Sequence, residues 1–108
     1  MTHPWDEREF RRLSINGEAC WSAGRIEGSC TLRNLSAGGV EISNPHPPLK
    51  VGTRLHVALF INQLHFDAVL VEVVRVSEGS LGLRFVNPDE DFQHRIDALI
   101  SELAEKAE

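Results

Sequence analysis

No stretch of this 108-residue chain approaches the roughly 20 consecutive apolar residues that span a bilayer, so insertion of a helix into a membrane is not expected. The opening residues, MTHPWDEREFRR, lack the apolar run of a secretory leader, and a cytoplasmic location is the expectation. Positive charge is in short supply. Eleven Lys and Arg face sixteen Asp and Glu, a net charge of −5, which argues against sequence-independent binding to a DNA or RNA backbone. Cysteine is scarce as well: Cys20 and Cys30 match no zinc-knuckle spacing and are read as inert thiols in or near a core.

The marks of catalysis are also missing. Ser14, Ser22 and Ser36 sit in no nucleophile-elbow context, and Asp6, Asp67 and Asp97 form no acid–base pair. The five histidines are scattered. His56 and His65 are placed to face each other across neighbouring strands, but no Cys, Asp or Glu joins them at ligand spacing. Neither an enzyme nor a metal or other cofactor site is expected.

What is present is an ordinary globular composition, 42% hydrophobic and 25% charged, at a length that suits one core. Nine of the eleven cations are arginine. Arginine carries a planar fork of donors that matches phosphate oxygens and guanine edges, so a small anion is a more natural ligand than a long polyanion. Arg8, Arg11 and Arg12 crowd into five residues, whereas acids gather at Asp89–Asp91 and in the last turns.

Residues 1–12 are polar, without a helical stripe, and read as a flexible arm ahead of a folded unit over 13–108. Period-two patterning then begins. Ile15, Gly17, Ala19 and Trp21 share one face of a first strand; Ser22-Ala23-Gly24 turns; Ile26, Gly28, Cys30 and Leu32 share a face of a second. Trp21 and Trp5 are expected to pack on the barrel, Trp5 near the arm. Asn34–Gly39 reads as a turn and Val40/Ile42 as a short third strand, with the proline-rich segment 44–48 a loop. Leu55, Val57, Leu59 and Ile61 make a fourth strand, with Asn62-Gln63 as a two-residue hairpin bend. Between His65 and Val76 the apolar residues switch parity, which predicts burial on both faces or a bulge. Leu81, Leu83 and Phe85 face inward on a sixth strand.

The last segment changes period. Asn87 as cap, Pro88 at the first position and Glu90 as the capping-box acid predict a helix over about 88–105. Its apolar stripe of Phe92, Ile96, Leu99, Ile100 and Leu103 would cover a barrel or serve a dimer. The predicted class is all-β with a C-terminal helix: a six-stranded antiparallel barrel.

Two short patterns carry the chemistry. The arm holds Arg8-Glu9-Phe10-Arg11-Arg12, an RxxxR, just before the first strand. After the second strand comes Asn34-Leu35-Ser36-Ala37-Gly38-Gly39, an [Asp/Asn]-x-Ser-x-x-Gly. In this order and spacing, with the Gly82-Leu83-Arg84-Phe85 close of the last strand and the helix beyond, the chain resembles the PilZ family. The resemblance implies a PilZ-type β-barrel and a site for cyclic di-GMP built from Arg8, Arg12, Asn34, Ser36 and Gly39. Arg11 is a further candidate for phosphate, and Arg75 matches a family position that lies against a guanine face.

Those residue types suit that ligand. Guanidinium groups bond phosphate oxygens and guanine O6 and N7; an asparagine amide offers a donor and an acceptor; a serine hydroxyl adapts; glycine permits close approach. The implied function is a regulatory domain whose arm changes conformation on binding and which signals to an unidentified downstream protein. The alternative is a PilZ-like adaptor that binds protein and no nucleotide. A monomer or a weak homodimer is expected.

Overall fold

The computed structural model describes residues 13–43 and 49–106, with side chains described for 17–43 and 49–104. Six strands, β1 (Leu13–Ala23), β2 (Ile26–Ser36), β3 (Gly39–Ser43), β4 (Arg54–Ile61), β5 (Leu64–Ser77) and β6 (Ser80–Phe85), precede one helix, α1 (Glu90–Lys106). Alternating apolar residues give each strand one face that must leave water, and six such faces are satisfied by closing the sheet on itself. All neighbours are antiparallel, in the order β1-β2-β3-β6-β5-β4, with β4 returning to β1. The expected barrel is therefore present.

Closure needs one close backbone approach. A Cβ on Gly17 would stand 2.6 Å from the Phe60 carbonyl oxygen on β4, so only glycine fits at this seam. Inside lie Leu32, Leu35, Ile42, Leu55, Val57, Leu59, Ile61, Phe66, Val71, Val73, Leu81 and Leu83, all fully buried. Each such side chain stabilises the fold by about 1.5–3 kcal/mol relative to exposure. Trp21 joins them, flat against Gly28 of the neighbouring strand.

The helix closes the core. Phe92, Ile96 and Leu99 are buried, with Ile100 and Leu103 packed beside them. Phe92 meets Phe66 and Phe85 edge-on at 6.0 and 5.1 Å, and the Arg95 guanidinium lies 4.4 Å from the Phe66 ring centre. The apolar stripe is thus used on the barrel.

Several local expectations shift. The NLSAGG segment is mostly strand: β2 runs through Ser36, β3 opens at Gly39, and only Ala37-Gly38 turns. β1 likewise continues through Ala23, and Gly24-Arg25 makes the bend with Gly24 at φ +66°. Ile26 stands 45% exposed because this hairpin tip extends beyond the packed interior. The helix is capped by Asp89, whose Oδ1 accepts from the Phe92 amide at 2.8 Å; Asn87 sits at φ +47°, outside the extended conformation a cap needs. His56 lies opposite Leu70, while His65 pairs with Phe60 and stacks on its ring at 4.7 Å, so the two histidines do not face each other. Cys20 is exposed on the outer surface, and Cys30 is half-buried. The readings of Trp5 and of loop 44–48 lie outside the described residues.

Asn62-Gln63 turns as expected, with φ of +50° and +70°. The parity switch in β5 resolves into two bulges, one between the pairs Val57↔Val69 and Leu59↔Phe66, the other between Val73↔Leu83 and Arg75↔Gly82.

Candidate functional site

Bulges decide which side chains reach the outer surface. On β2, Leu32 pairs with Ile42 and Asn34 with Glu41, so Arg33 is an extra residue. Strict alternation from the buried Leu32 would turn Asn34 inward; the extra residue turns it out. On β5, Val74 plays the same part between the buried Val73 and Arg75. Both polar side chains consequently arrive on one outer row.

That row crosses four strands in register: Asn34 on β2, Glu41 on β3, Gly82 on β6 and Arg75 on β5. The Asn34 amide nitrogen donates to Glu41 Oε1. Glu41 Oε2 accepts from the buried Ser80 hydroxyl at 2.9 Å and lies 3.5 Å from Arg75 Nη2. The Glu41 side chain is 15% exposed and that of Arg75 37%, so the pair is only partly screened by water. Arg75 lies over Gly82, where a Cβ would come within 3.2 Å of its Nε. That nitrogen is buried and makes no hydrogen bond among the described residues.

Ser36 and Gly39 flank the row. Ser36 is buried and its hydroxyl donates to the Gly39 carbonyl at 3.3 Å. The turn between them is held from two sides: the Phe85 amide donates to Gly38 O, and Gln93 Nε2 of α1 donates to Ala37 O, each at 3.0 Å. Beyond Gly39 a second outer row runs through Arg84, Glu72 and Arg54, with Glu72 Oε1 at 3.1 and 3.4 Å from the two guanidiniums.

Asn34, Ser36, Gly39 and Arg75, four of the expected residues, thus border one shallow recess together with Glu41 and Gly82. Arg8, Arg11 and Arg12 lie outside the described residues. What is described is where the chain enters: the backbone of Leu13 lies opposite Leu35, and that of Ser14 opposite Asn34. Glu41 and Ser80 are absent from the expected set. Glu41 had a readable signal, since Val40 and Ile42 face inward and the residue between them must face out; that Asn34 and Arg75 would meet it had none, because the extra residues Arg33 and Val74 turn them to that row.

The recess encloses about 10 Å³, close to the volume one water needs. Two wider grooves, of about 480 and 490 Å³, lie elsewhere on the barrel. Asp67, Asp89 and Asp91 line the first beside Arg54 and Arg95, and the second has no arginine on its walls.

Solved structures with the same barrel are known. The PilZ domain of Escherichia coli YcgR with c-di-GMP is 18% identical, with a TM-score of 0.74 over 93% of each chain. The K. pneumonia MrkH–c-di-GMP complex is 17% identical, with a TM-score of 0.79 over 93% of this chain and 53% of that one. Bacillus subtilis MotI/DgrA, an inhibitor of motility, is 15% identical, with a TM-score of 0.75 over all of this chain and 59% of its own. At such identities the likeness is one of fold. No curated protein sequence matches the chain. The family model of the PilZ domain, however, matches residues 6–102, and with nearly the whole sequence so matched the chain belongs to the PilZ domain family.

Proposed function

We propose that this chain is a cyclic di-GMP receptor domain, binding the nucleotide with Arg8, Arg12, Asn34, Ser36 and Gly39, aided by Arg11 and Arg75. The observation that carries the reading is the outer row with its flank. Asn34, Ser36, Gly39 and Arg75 share one recess, and Leu13 lies opposite Leu35 at its border. Consecutive Cα atoms stand about 3.8 Å apart, so covalent connection keeps Arg12 next to Leu13 and leaves Arg8 within reach of the recess. The recess is too small to enclose a cyclic dinucleotide, which lies across it and is covered by the arm.

Magnitudes favour a clamp. A charge-assisted hydrogen bond contributes about 1.5–3 kcal/mol, so a few arginine contacts supply much of the roughly 8 kcal/mol of a micromolar complex. Ordering the arm costs about 1–2 kcal/mol per residue, which only several strong contacts offset. The arm closes on the nucleotide, the outer surface changes, and a downstream protein reads the change. The domain acts by binding, with no chemistry of its own. Support for a ligand, and not for a nucleotide-free adaptor, comes from intact Arg8, Arg12, Asn34, Ser36 and Gly39.

Calorimetric titration with cyclic di-GMP, with GTP as control, tests this. Saturable binding to cyclic di-GMP alone, abolished by Arg12→Ala, is expected. The absence of heat at high nucleotide concentration would leave the adaptor reading standing. Hydrogen exchange across residues 5–12 is expected to slow on binding.

A further inference from the structure

The NH₂ end of a glutamine can serve two acceptors at once. That of Gln93 does so. Its Nε2 donates to Ala37 O, in the turn between β2 and β3, and to Asp97 Oδ1 one helical turn further on, each at 3.0 Å. A carbonyl and a carboxylate only accept, so chemistry dictates that the amide presents its nitrogen to them. Gln93 is half-buried, and its own place in α1 is fixed. Its backbone amide donates to Asp89 O, and the preceding Phe92 meets Phe66 and Phe85 edge-on.

Phe85 completes a circuit of contacts. Its ring touches Phe92 of α1, while its amide donates to Gly38 O at 3.0 Å. The two peptide oxygens of the Ala37-Gly38 turn are thus held by α1 and by the end of β6, which are packed on each other. Peptide units are rigid and trans, so fixing two in succession leaves the turn little freedom to tilt. Ser36 and Gly39, at the border of the recess, stand on either side of that turn.

We infer that Gln93 is a positioning residue for the nucleotide site: it ties the Ser36–Gly39 turn to α1, holding the turn ready for ligand and carrying the effect of binding into the helix. This rests on the reading of the recess as a cyclic di-GMP site. A turn fixed in advance spares the complex the cost of ordering it, so cutting the strut lowers affinity. Coupling of this kind is reciprocal. If α1 steadies the turn for the nucleotide, the bound nucleotide steadies α1 by the same factor.

The test compares three proteins by calorimetry with cyclic di-GMP: the parent, Gln93→Met, which keeps the length without the donor, and Gln93→Lys, which returns a donor. Gln93→Met is expected to lose about five- to tenfold in affinity, the worth of one hydrogen bond, and Gln93→Lys to stay within about twofold of the parent. Glu90→Gln controls for charge. It is exposed, lies one turn earlier on the same helix face, alters net charge as much as Gln93→Lys, and is expected to leave affinity within about twofold.

Hydrogen exchange gives a readout that a merely structural role would not move. Cyclic di-GMP is expected to slow exchange over residues 93–97 in the parent and not in Gln93→Met. Affinity unchanged in Gln93→Met, a rescue by Gln93→Lys no larger than the effect of Glu90→Gln, or helix protection that persists in Gln93→Met overturns the inference. NMR of the unliganded chain separates the strut from the receptor reading. Gln93→Met is expected to shift the Gly38 and Gly39 amide resonances, and Gln93→Lys to return them toward the parent positions; resonances that do not move overturn the strut. Should the parent bind no nucleotide, the receptor reading fails while these resonances still decide the strut.

Discussion

The guanidinium of Arg75 rests on Gly82. A Cβ built at Gly82 would meet Arg75 Nε at 3.2 Å, its Cβ at 3.3 Å and Nη2 at 3.3 Å. The glycine is a seat for the arginine, and the seat holds Arg75 level with Glu41 across β6. On the proposed receptor reading, Gly82→Ala is therefore expected to lift Arg75 and weaken cyclic di-GMP binding about three- to tenfold, with stability changed by less than about 1 kcal/mol. In an Arg75→Ala background the same substitution is expected to cost no further affinity, a non-additivity that titration of the double variant reads directly.

Asp89 determines where α1 starts. Its Oδ1 accepts from the Phe92 amide at 2.8 Å, satisfying a donor that the first helical turn leaves open, and Phe92 is the residue that meets Phe66 and Phe85. Asp89→Ala is expected to lower stability by about 1 kcal/mol and Asp89→Asn by much less, as measured by urea unfolding.

The Asn62-Gln63 bend places two non-glycine residues at φ of +50° and +70°. A left-handed conformation costs such a residue about 1 kcal/mol, partly offset by the greater freedom that glycine has in the unfolded chain. Gln63→Gly, which creates the Asn-Gly pair preferred in two-residue hairpins, is expected to raise stability by about 0.5 kcal/mol in the same assay. A loss would mean that the Gln63 side chain itself supports the hairpin.

The two cysteines differ in reactivity. Burial pushes the Cys30 thiol from its ordinary 9.0 up to about 11, opposed by a bond to Ser43, while Cys20 is exposed. At pH 8 a thiol reagent is expected to modify Cys20 quickly and Cys30 slowly. The linkage has a definite sign. Because the native value is raised, the contribution of Cys30 to stability is full below pH 9 and lost as pH rises to about 11. Cys30→Ser is expected to flatten the fall in stability over that window.

Much of the fold was legible in residue order because burial imposes short periods. Leu55, Val57, Leu59 and Ile61 announce a half-buried strand whatever lies beside it, and all four are buried. Phe92, Ile96 and Leu99 announce a helix face in the same way. The candidate residues Asn34, Ser36, Gly39 and Arg75 were legible by type and spacing, through likeness to a family. The cap was misplaced by two residues because Asn87, Pro88 and Asp89 all suit a helix start. Only backbone geometry separates them, with Asn87 at positive φ and Asp89 bonded to Phe92.

Sequence by itself determined the strands, the helix and the residue types available to a ligand, since local periodicity and side-chain chemistry belong to the chain. Tertiary structure alone decided that Asn34, Glu41 and Arg75 share a surface. An extra residue at Arg33 and another at Val74 each reverse the side to which the following side chains point. A bulge leaves no mark in composition; its sense depends on the partner strand. Which polar groups meet is therefore settled by pairing between strands, and the row around Glu41 exists only once the barrel has closed.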